Sequence, residues 1–389
     1  MTNKYLALVC IFAYILFLNI ENSIGFSCRI NNANVDWWVA KSHDSFVERT
    51  GHFFTASSIS SDEWSRNMDV NLYNLDASNP VFNTVDQVTN GFQYSVNDLL
   101  IFYNDQANRT WSAGKVYGVP KEDSGDEGHS KGVVLYDGIL HQGFLLMHSA
   151  PGFPFPEAEE FLYPRSAAAY GQLFFCLSIN EEQLRMIGEL MRMANIYAYE
   201  HHFGDSLRTK FRDLFYAVYG EFDLNCENGV AVREFTVGTS GTRVRIFAKS
   251  RTVVKDIFLA VAENLQSELY VQSFLTESSA SFKSVEQAGC KNSDQDPFIV
   301  KNIYNATFTA SDHTAHKQRT STDHAKYAIT KLPSDNWFCA SDINRTKPQL
   351  ERGGLVICVQ DDNLHALFQK SVMVITDCAA VRQANIKHP

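Results

Sequence analysis

A short pattern, His-x-Lys, occurs twice in the chain, and its duplication limits the folds that the chain can adopt. The first copy is His129-Ser130-Lys131 and the second is His324-Ala325-Lys326. Side chains two residues apart on a strand lie on one face, so each copy places an imidazole beside an ammonium group. His148 follows the first histidine by 19 residues, and Asn344 follows the second by 20. The repeat therefore predicts two halves that share one site.

An imidazole beside an ammonium group suits phosphodiester chemistry. The ammonium can neutralise the non-bridging oxygens, and the imidazole can attack phosphorus or transfer a proton. A single copy also fits a surface histidine beside a solvated lysine, and it is the paired, similarly spaced copies that favour a site. The chain has no Walker loop, Gly-x-Gly-x-x-Gly, Gly-x-Ser-x-Gly or His-Glu-x-x-His pattern, so no cofactor and no metal site is predicted.

The first residues have the pattern of a secretory signal. Lys4 precedes an uncharged apolar run at residues 6–18, and Ser23-Ile24-Gly25 offers small residues for cleavage before Phe26. No later stretch approaches the length of a membrane span, and an uncleaved anchor is the alternative interpretation. We expect residues 1–25 to be removed, leaving a soluble protein that is secreted or lysosomal.

The chain is acidic but rich in histidine. Its net charge is −10 with histidine neutral, and protonation of all 12 histidines would bring this value to +2. An acidic protein binds nucleic acid poorly at neutral pH, so phosphate binding is favoured in an acidic compartment. The alternative is that these histidines are ordinary surface residues.

Cysteines and sequons fit the secretory route. Seven cysteines follow Cys10. In an oxidising compartment most should form disulfides, and the odd number leaves one cysteine unpaired. The sequons at Asn108 and Asn305 are predicted glycosylation sites, whereas the one at Asn344 overlaps a candidate site residue.

Stretches of helical and strand periodicity alternate, which predicts a mixed α/β class. Residues 181–194 and 256–265 are predicted as helices. Residues 131–136 and 143–148 are predicted as an antiparallel hairpin that places His129, Lys131 and His148 on one face. The polar residues 44–65 and 311–322 are predicted as loops, the second without a chemical role.

Several ordered segments together resemble the deoxyribonuclease II family, which belongs to the phospholipase D-like superfamily. The segments that carry this resemblance are Val35-Asp36-Trp37-Trp38, Tyr103-Asn104-Asp105-Gln106, Gly128-His129-Ser130-Lys131-Gly132-Val133, His148-Ser149-Ala150-Pro151 with Phe153-Pro154, Tyr170-Gly171-Gln172 before Cys176, Asp323-His324-Ala325-Lys326, and Cys339 through Asp342-Ile343-Asn344-Arg345 to Gly353-Gly354 and Cys358.

The resemblance implies a phospholipase D-like pseudo-dimer, with each half a β-sheet flanked by helices. The halves are expected at residues 26–200 and 201–389. The implied activity is an acid endonuclease that cuts DNA without a divalent metal and leaves 3′-phosphate ends.

The resemblance also assigns roles to individual residues. His129 would form a phospho-histidine, His324 would protonate the leaving oxygen, and the other implied site residues are Lys131, Lys326, His148 and Asn344. Asp137 has two interpretations, one in which it orients a catalytic histidine and one in which it has a core-edge or turn role. It pairs Cys28 with Cys176, Cys290 with Cys378 and Cys339 with Cys358, with Cys226 left over.

The sequon at Asn344 departs from the family pattern, and two alternative functions stay open. Because a glycan on Asn344 would block the cleft, we expect Asn344 to be unmodified. The expected partner is DNA. A homodimer is left open, because the duplicated site lets a monomer be active. The alternatives are a catalytically weak secreted member that binds DNA or a host protein, and a phospholipase D-type lipid enzyme.

Overall fold

The computed structural model describes residues 25–43, 52–61, 63–67, 78–89, 94–107, 127–155, 163–222, 229–275, 298–313 and 315–377. Residues 1–24, Asn108, Cys226, Cys290 and Cys378 lie outside the described residues, so the predictions made for them stay predictions.

A small hairpin precedes two large sheets. The hairpin pairs β1 (Cys28–Ile30) with β2 (Ala33–Val35). The first large sheet, sheet I, has the order β10-β6-β7-β8-β9-β3-β4-β5. Its strands are β3 (Trp37–Ser42), β4 (His52–Ala56), β5 (Ser65–Asn67), β6 (Asp98–Asn104), β7 (Lys131–Asp137), β8 (Gln142–His148), β9 (Leu173–Asn180) and β10 (Ala198–Phe203).

The second large sheet, sheet II, has the order β11-β12-β18-β17-β16-β13-β14-β15, and β19 pairs with β14 outside this path. Its strands are β11 (Val230–Val237), β12 (Thr242–Lys249), β13 (Leu269–Gln272), β14 (Val300–Thr309), β15 (Ala315–Arg319), β16 (Tyr327–Thr330), β17 (Trp337–Ser341), β18 (Gly354–Gln360) and β19 (Val372–Ile375).

Six α-helices lie within the described residues. They are α1 (Pro80–Thr89), α2 (Arg165–Ala168), α3 (Glu181–Ala194), α4 (Arg212–Val218), α5 (Ile257–Leu265) and α6 (Asp362–Ser371). The helix predicted at 181–194 is confirmed, because Asn180 and Gln183 form a reciprocal capping box at its start. The predicted helix at 256–265 begins one residue later, with Asp256 as its N-cap.

The two sheets contain the same internal strand order. Sheet I contains β6-β7-β8-β9-β3 and sheet II contains β13-β16-β17-β18-β12. In both, a helix precedes the first of these strands, and another follows the fourth. The mixed α/β class is therefore confirmed, and the repeated order supports the predicted pair of similar halves. The boundary near residue 200 stays a proposal.

The main core lies between the two sheets. Strand β3 divides its side chains by the period of two, since Trp37 and Val39 join this central cluster while Trp38 and Ala40 face a separate cluster with α1. The central cluster also contains Ile246 and Ala248 of β12, and helix α3 packs on β12 and β18. The halves are thus joined through a shared apolar interior.

Two loop predictions are wrong. Residues 311–322 contain β15, which pairs with β14, and a 3₁₀ turn at Thr320–Thr322. The stretch 44–65 includes β4, which pairs with β3, although residues 44–51 lie outside the description. In both cases backbone pairing to a neighbouring strand stabilises the segment, and composition does not reveal this pairing.

Two disulfides lie within the described residues. Cys28–Cys176 connects β1 to β9, and Cys339–Cys358 joins directly opposed residues of β17 and β18. Both are pairings that the family resemblance implied. Within the described part of the chain, no helix is both long and apolar enough to cross a membrane.

Candidate active site

The first His-x-Lys motif lies where β7 begins. Lys131 is the first residue of β7 and pairs with Asn104, the last residue of β6. His129 precedes the strand by two residues, and Asp105 follows the end of β6. The antiparallel register therefore brings Asp105 to the motif although 24 residues separate it from His129.

Asp105 is the centre of a buried cluster of charges. Its Oδ2 lies 2.6 Å from His129 Nδ1, and its Oδ1 accepts a hydrogen bond from Lys131 Nζ. The guanidinium of Arg352 lies 3.0 Å from the same Oδ2. These three partners lower the pKa of Asp105 far below its usual value, although burial opposes them. The carboxylate is therefore ionised, and it accepts the Nδ1 proton of His129.

Arg352 lies just before β18 of sheet II, and its side chain reaches this cluster. Its Nε and terminal nitrogen donate to the Glu127 carbonyl at 3.0 and 2.8 Å, and the next residue, Gly353, accepts from the His129 main-chain N–H at 3.0 Å. A Cβ at either Gly128 or Gly353 would lie 2.2 Å from the Ala194 carbonyl oxygen. Glycine at both positions is required for this close approach of the two backbones.

The second motif is surrounded differently. His324 stacks on Tyr170, with ring centroids 4.1 Å apart, and meets the edge of Phe274 at 4.4 Å. Its main-chain N–H donates to Gly171 O at 2.8 Å, and Lys326 Nζ donates to the His324 carbonyl at 2.8 Å. The second histidine is thus held by aromatic rings and by the backbone that leads into β9.

A buried ion pair supports the second motif from the opposite sheet. Lys41 of β3 lies 3.1 Å from Asp323, the residue before His324, and both side chains are at most 2% exposed. Lys41 also donates to Gln318 of β15 at 2.7 Å. The ion pair therefore fixes the position of the second motif relative to sheet I.

The equivalent strands reveal an asymmetry between the two histidines. Gln272 pairs with Tyr327, so Phe274 stands where Asp105 stands in the other half. By the same register, Tyr170 before β9 is the counterpart of Arg352 before β18. A carboxylate and a guanidinium flank His129, whereas two aromatic rings flank His324.

The two motifs share one electrostatic environment. Burial together with Lys326, Lys131 and His129 lowers the pKa of His324 to about 3. Burial and Lys131 lower the pKa of Lys326 to about 7. Burial, Lys131 and Lys326 also lower the pKa of His129, against the pull of Asp105. The lysine of each motif therefore acts on the histidine of the other.

His148 lies beside the first motif. It ends β8, and burial and Lys131 lower its pKa to about 3. It is 2% exposed, and neither ring nitrogen makes a well-formed hydrogen bond among the described residues, although the Ala150 main chain favours its protonated form. A buried imidazole of this kind can form a hydrogen bond with a donor or acceptor group of a bound ligand.

Asn344 lies beside the second motif, at one remove from His324. Its Oδ1 accepts from the Phe274 N–H at 3.1 Å, and Phe274 contacts His324. Asn344 is 8% exposed, which fits the expectation that its sequon is unmodified. The register makes Ser341, three residues earlier, the counterpart of His148.

The supporting carboxylate is Asp105, and Asp137 holds a turn. Asp137 Oδ1 accepts from the Ile139 and Leu140 N–H groups at 2.7 and 3.0 Å, at the far end of β7. Sequence reasoning missed Arg352 and Lys41 as well, and the signal for Asp105 was its place in a matched family segment.

No group of three or more His, Cys, Asp or Glu side chains is arranged to hold a metal in the described ranges.

Comparisons with known proteins agree with this geometry. The deoxyribonuclease II family profile matches residues 27–378. The chain is 26% identical to cell-death-related nuclease 7 of Caenorhabditis elegans, over 90% of this chain and 87% of the relative. It is 29% identical to deoxyribonuclease-2-alpha of Rattus norvegicus over 72% and 73%, and 26% identical to plancitoxin-1 of Acanthaster planci over 72% and 71%. The chain belongs to the deoxyribonuclease II family.

Proposed function

We propose that this protein is an acid endodeoxyribonuclease that hydrolyses DNA phosphodiesters through a phospho-histidine and leaves 3′-phosphate ends. The observation that carries the proposal is that each His-x-Lys motif is anchored to the other half, since the His129 N–H donates to Gly353 O at 3.0 Å and the His324 N–H donates to Gly171 O at 2.8 Å. Family membership supports the nuclease class. The shared environment supports one phosphate between the motifs.

His129 is the proposed nucleophile. Its Nδ1–H is directed to Asp105, 2.6 Å away, so the lone pair is on Nε2. A buried carboxylate behind an imidazole fixes the tautomer and stabilises positive charge that develops on the ring. His324 has a phenyl ring at the position of that carboxylate, which suits a group that gives up a proton.

The proposed reaction has two balanced steps. In the first, His129 Nε2 forms a bond to phosphorus, the bond from phosphorus to the 5′ oxygen breaks, and His324 protonates that oxygen. In the second, His324 takes a proton from water, the water oxygen bonds to phosphorus, and the phosphorus–nitrogen bond breaks. The product is a 3′-phosphate and a 5′-hydroxyl.

Protein cations supply the positive charge that the transition state requires. Lys131 and Lys326 belong to the two motifs, and both lower the pKa of His129 and of His324. Asp105 already has His129, Lys131 and Arg352 as partners. We therefore propose that activity does not depend on a divalent cation, with His148 and Asn344 in supporting roles.

The charges of the site support activity under acidic conditions. A bound phosphate adds negative charge beside the cations that lower the pKa of His324, so binding raises that pKa toward the range in which His324 can donate a proton. Lys326 loses its proton as the pH rises through about 7. Lower pH therefore favours both phosphate binding and the acid form of His324.

We also propose that the protein works in the secretory pathway, either secreted or in lysosomes. The two disulfides of the described residues suit an oxidising compartment. An acidic organelle would also supply the protons that the site requires.

The direct test is nicking of supercoiled plasmid in excess chelator, at pH about 5 and about 7.5, on either side of the ordinary histidine pKa. We expect cutting at the lower pH, its loss in His129→Ala, and its retention in His141→Asn, which alters a histidine that is 56% exposed. Competition by a phosphatidyl lipid would point to the lipid enzyme. A folded protein that binds DNA without cutting it would contradict the nuclease and favour the binding protein.

A further inference from the structure

A cavity of about 520 Å³ opens beside the first motif. It lies outside the cluster of catalytic groups, and neither motif contributes to its wall. The residues of its wall that matter for its chemistry are Glu127, Asn195, Tyr197, Tyr219, Phe222 and Arg251. Its volume is in the range of pockets that bind small organic molecules.

The wall of this cavity is continuous with the backbone that holds His129. The Gly128 N–H donates to Asn195 O at 2.7 Å, and the Asn104 N–H donates to Tyr197 O at 2.9 Å. The Glu127 carbonyl accepts from Arg352, which also contacts Asp105. The cavity therefore lies next to the backbone segment that carries His129.

The side chains of the wall include aromatic rings and an arginine. Tyr219 is 53% exposed, so its ring is accessible to a ligand. The guanidinium of Arg251 lies 5.6 Å from the centroid of the Phe222 ring, within reach of a cation–π contact. Aromatic rings together with arginine form the stacking surfaces on which proteins hold single-stranded nucleic acid.

The wall contains one carboxylate and one guanidinium, so it carries no excess of positive charge for a phosphate. Glu127 lines the cavity and is 7% exposed. A buried carboxylate repels a phosphate, whereas it accepts hydrogen bonds from the amino groups of bases. Arg251 is the cation of the pair, and the Phe222 ring beside it offers a flat apolar face.

We infer that this cavity binds a nucleobase next to the scissile phosphate, on the strand whose phosphate lies at His129. The inference rests on the proposed nuclease function and adds a substrate requirement, namely a base that has been turned out of the duplex or belongs to a single strand. Cleavage should then depend on the base beside the cut as well as on the phosphate.

The test measures binding without cleavage, so it does not depend on activity. The His129→Ala protein is titrated at pH about 5 with a labelled single-stranded oligonucleotide and with the same backbone carrying abasic sites. We expect the base-bearing strand to bind roughly tenfold or more tightly, the effect of one lost stacking partner. Equal affinities, or binding of neither strand by the folded protein, would overturn the inference.

Matched variants locate the effect. Tyr219→Leu keeps apolar packing against Phe215, whose ring centroid is 4.6 Å away, and should abolish the difference between the two strands. Tyr94→Ala removes another exposed ring, which precedes the opposite end of β6, and should preserve it. A difference that survives both Tyr219→Leu and Phe222→Ala would show that bases bind elsewhere. Loss of plasmid cutting with base discrimination intact would contradict only the nuclease.

Discussion

Replacement of Asp105 by asparagine removes the charge that orients the proposed nucleophile while keeping the size of the side chain. The carboxylate lies 2.6 Å from His129 Nδ1 and 3.0 Å from Arg352, and it is 2% exposed. The amide presents either an oxygen or an N–H to the ring, so it no longer fixes the tautomer with Nε2 free. The expected variant still binds the phosphate, but attack of His129 on phosphorus is slow.

The magnitude follows from comparable chemistry. In serine proteases the same exchange behind the catalytic histidine lowers kcat by about 10⁴-fold. Here the lysine of the motif still holds the phosphate, so we expect a loss of about 10³- to 10⁴-fold, or ~4–5 kcal/mol of transition-state stabilisation. The three partners also lose a buried counter-charge, which should lower the free energy of unfolding by about 3–5 kcal/mol.

The assay compares kcat on a thymidine 3′-phosphodiester with a nitrophenyl leaving group and on DNA, well below the melting temperature of each protein. Attack by His129 is required for both substrates, so Asp105→Asn should lower both rates alike. Asp137→Asn is the matched control, since Asp137 accepts from Ile139 and Leu140 in a turn at the far end of β7. A folded Asp105→Asn protein within about tenfold of the native rate, ~1.4 kcal/mol, would refute the positioning role.

Three further predictions concern charge, stability and modification. Because burial lowers the pKa of Lys326 to about 7, kcat/KM should fall as the pH rises through that value, and Lys326→Arg should move this limb to higher pH; an unmoved limb in the pH–rate profile would exclude Lys326 as its origin. Lys41→Met should reduce the free energy of unfolding in urea by about 3–5 kcal/mol, and adding Asp323→Leu to this variant should restore most of the loss. A double variant that is no more stable than Lys41→Met alone would contradict the ion pair. Glycopeptide mapping should find Asn305 occupied and Asn344 bare, and a glycan on Asn344 would remove it from the site.

The parts of the fold that sequence predicts are those specified by local contacts. Helix α3 has its capping residues, Asn180 and Gln183, three positions apart. The β7–β8 hairpin is closed by a short turn, and its side chains alternate as expected. Strand β15 was missed because its polar residues are held by pairing with β14, which the chain pattern does not encode locally.

The supporting residues of the site required the structure for the same reason. Arg352 is 223 residues from His129, and Lys41 is 277 residues from its partner Gln318. Sequence spacing suggested Asn344 as the counterpart of His148, whereas strand register selects Ser341. The motifs themselves were visible because each lies within three residues, while the groups that make the two histidines unequal are distant in the chain.

The role of each histidine is tested most directly by a burst experiment with the nitrophenyl substrate. A nitrophenolate leaving group needs no proton, so His324→Ala should form the phospho-histidine and then stall, because His324 no longer activates water. The account predicts a burst of one nitrophenolate per protein molecule from His324→Ala and none from His129→Ala. A burst from His129→Ala, or none from His324→Ala while the native protein turns over, would contradict the assignment of His129 as the nucleophile.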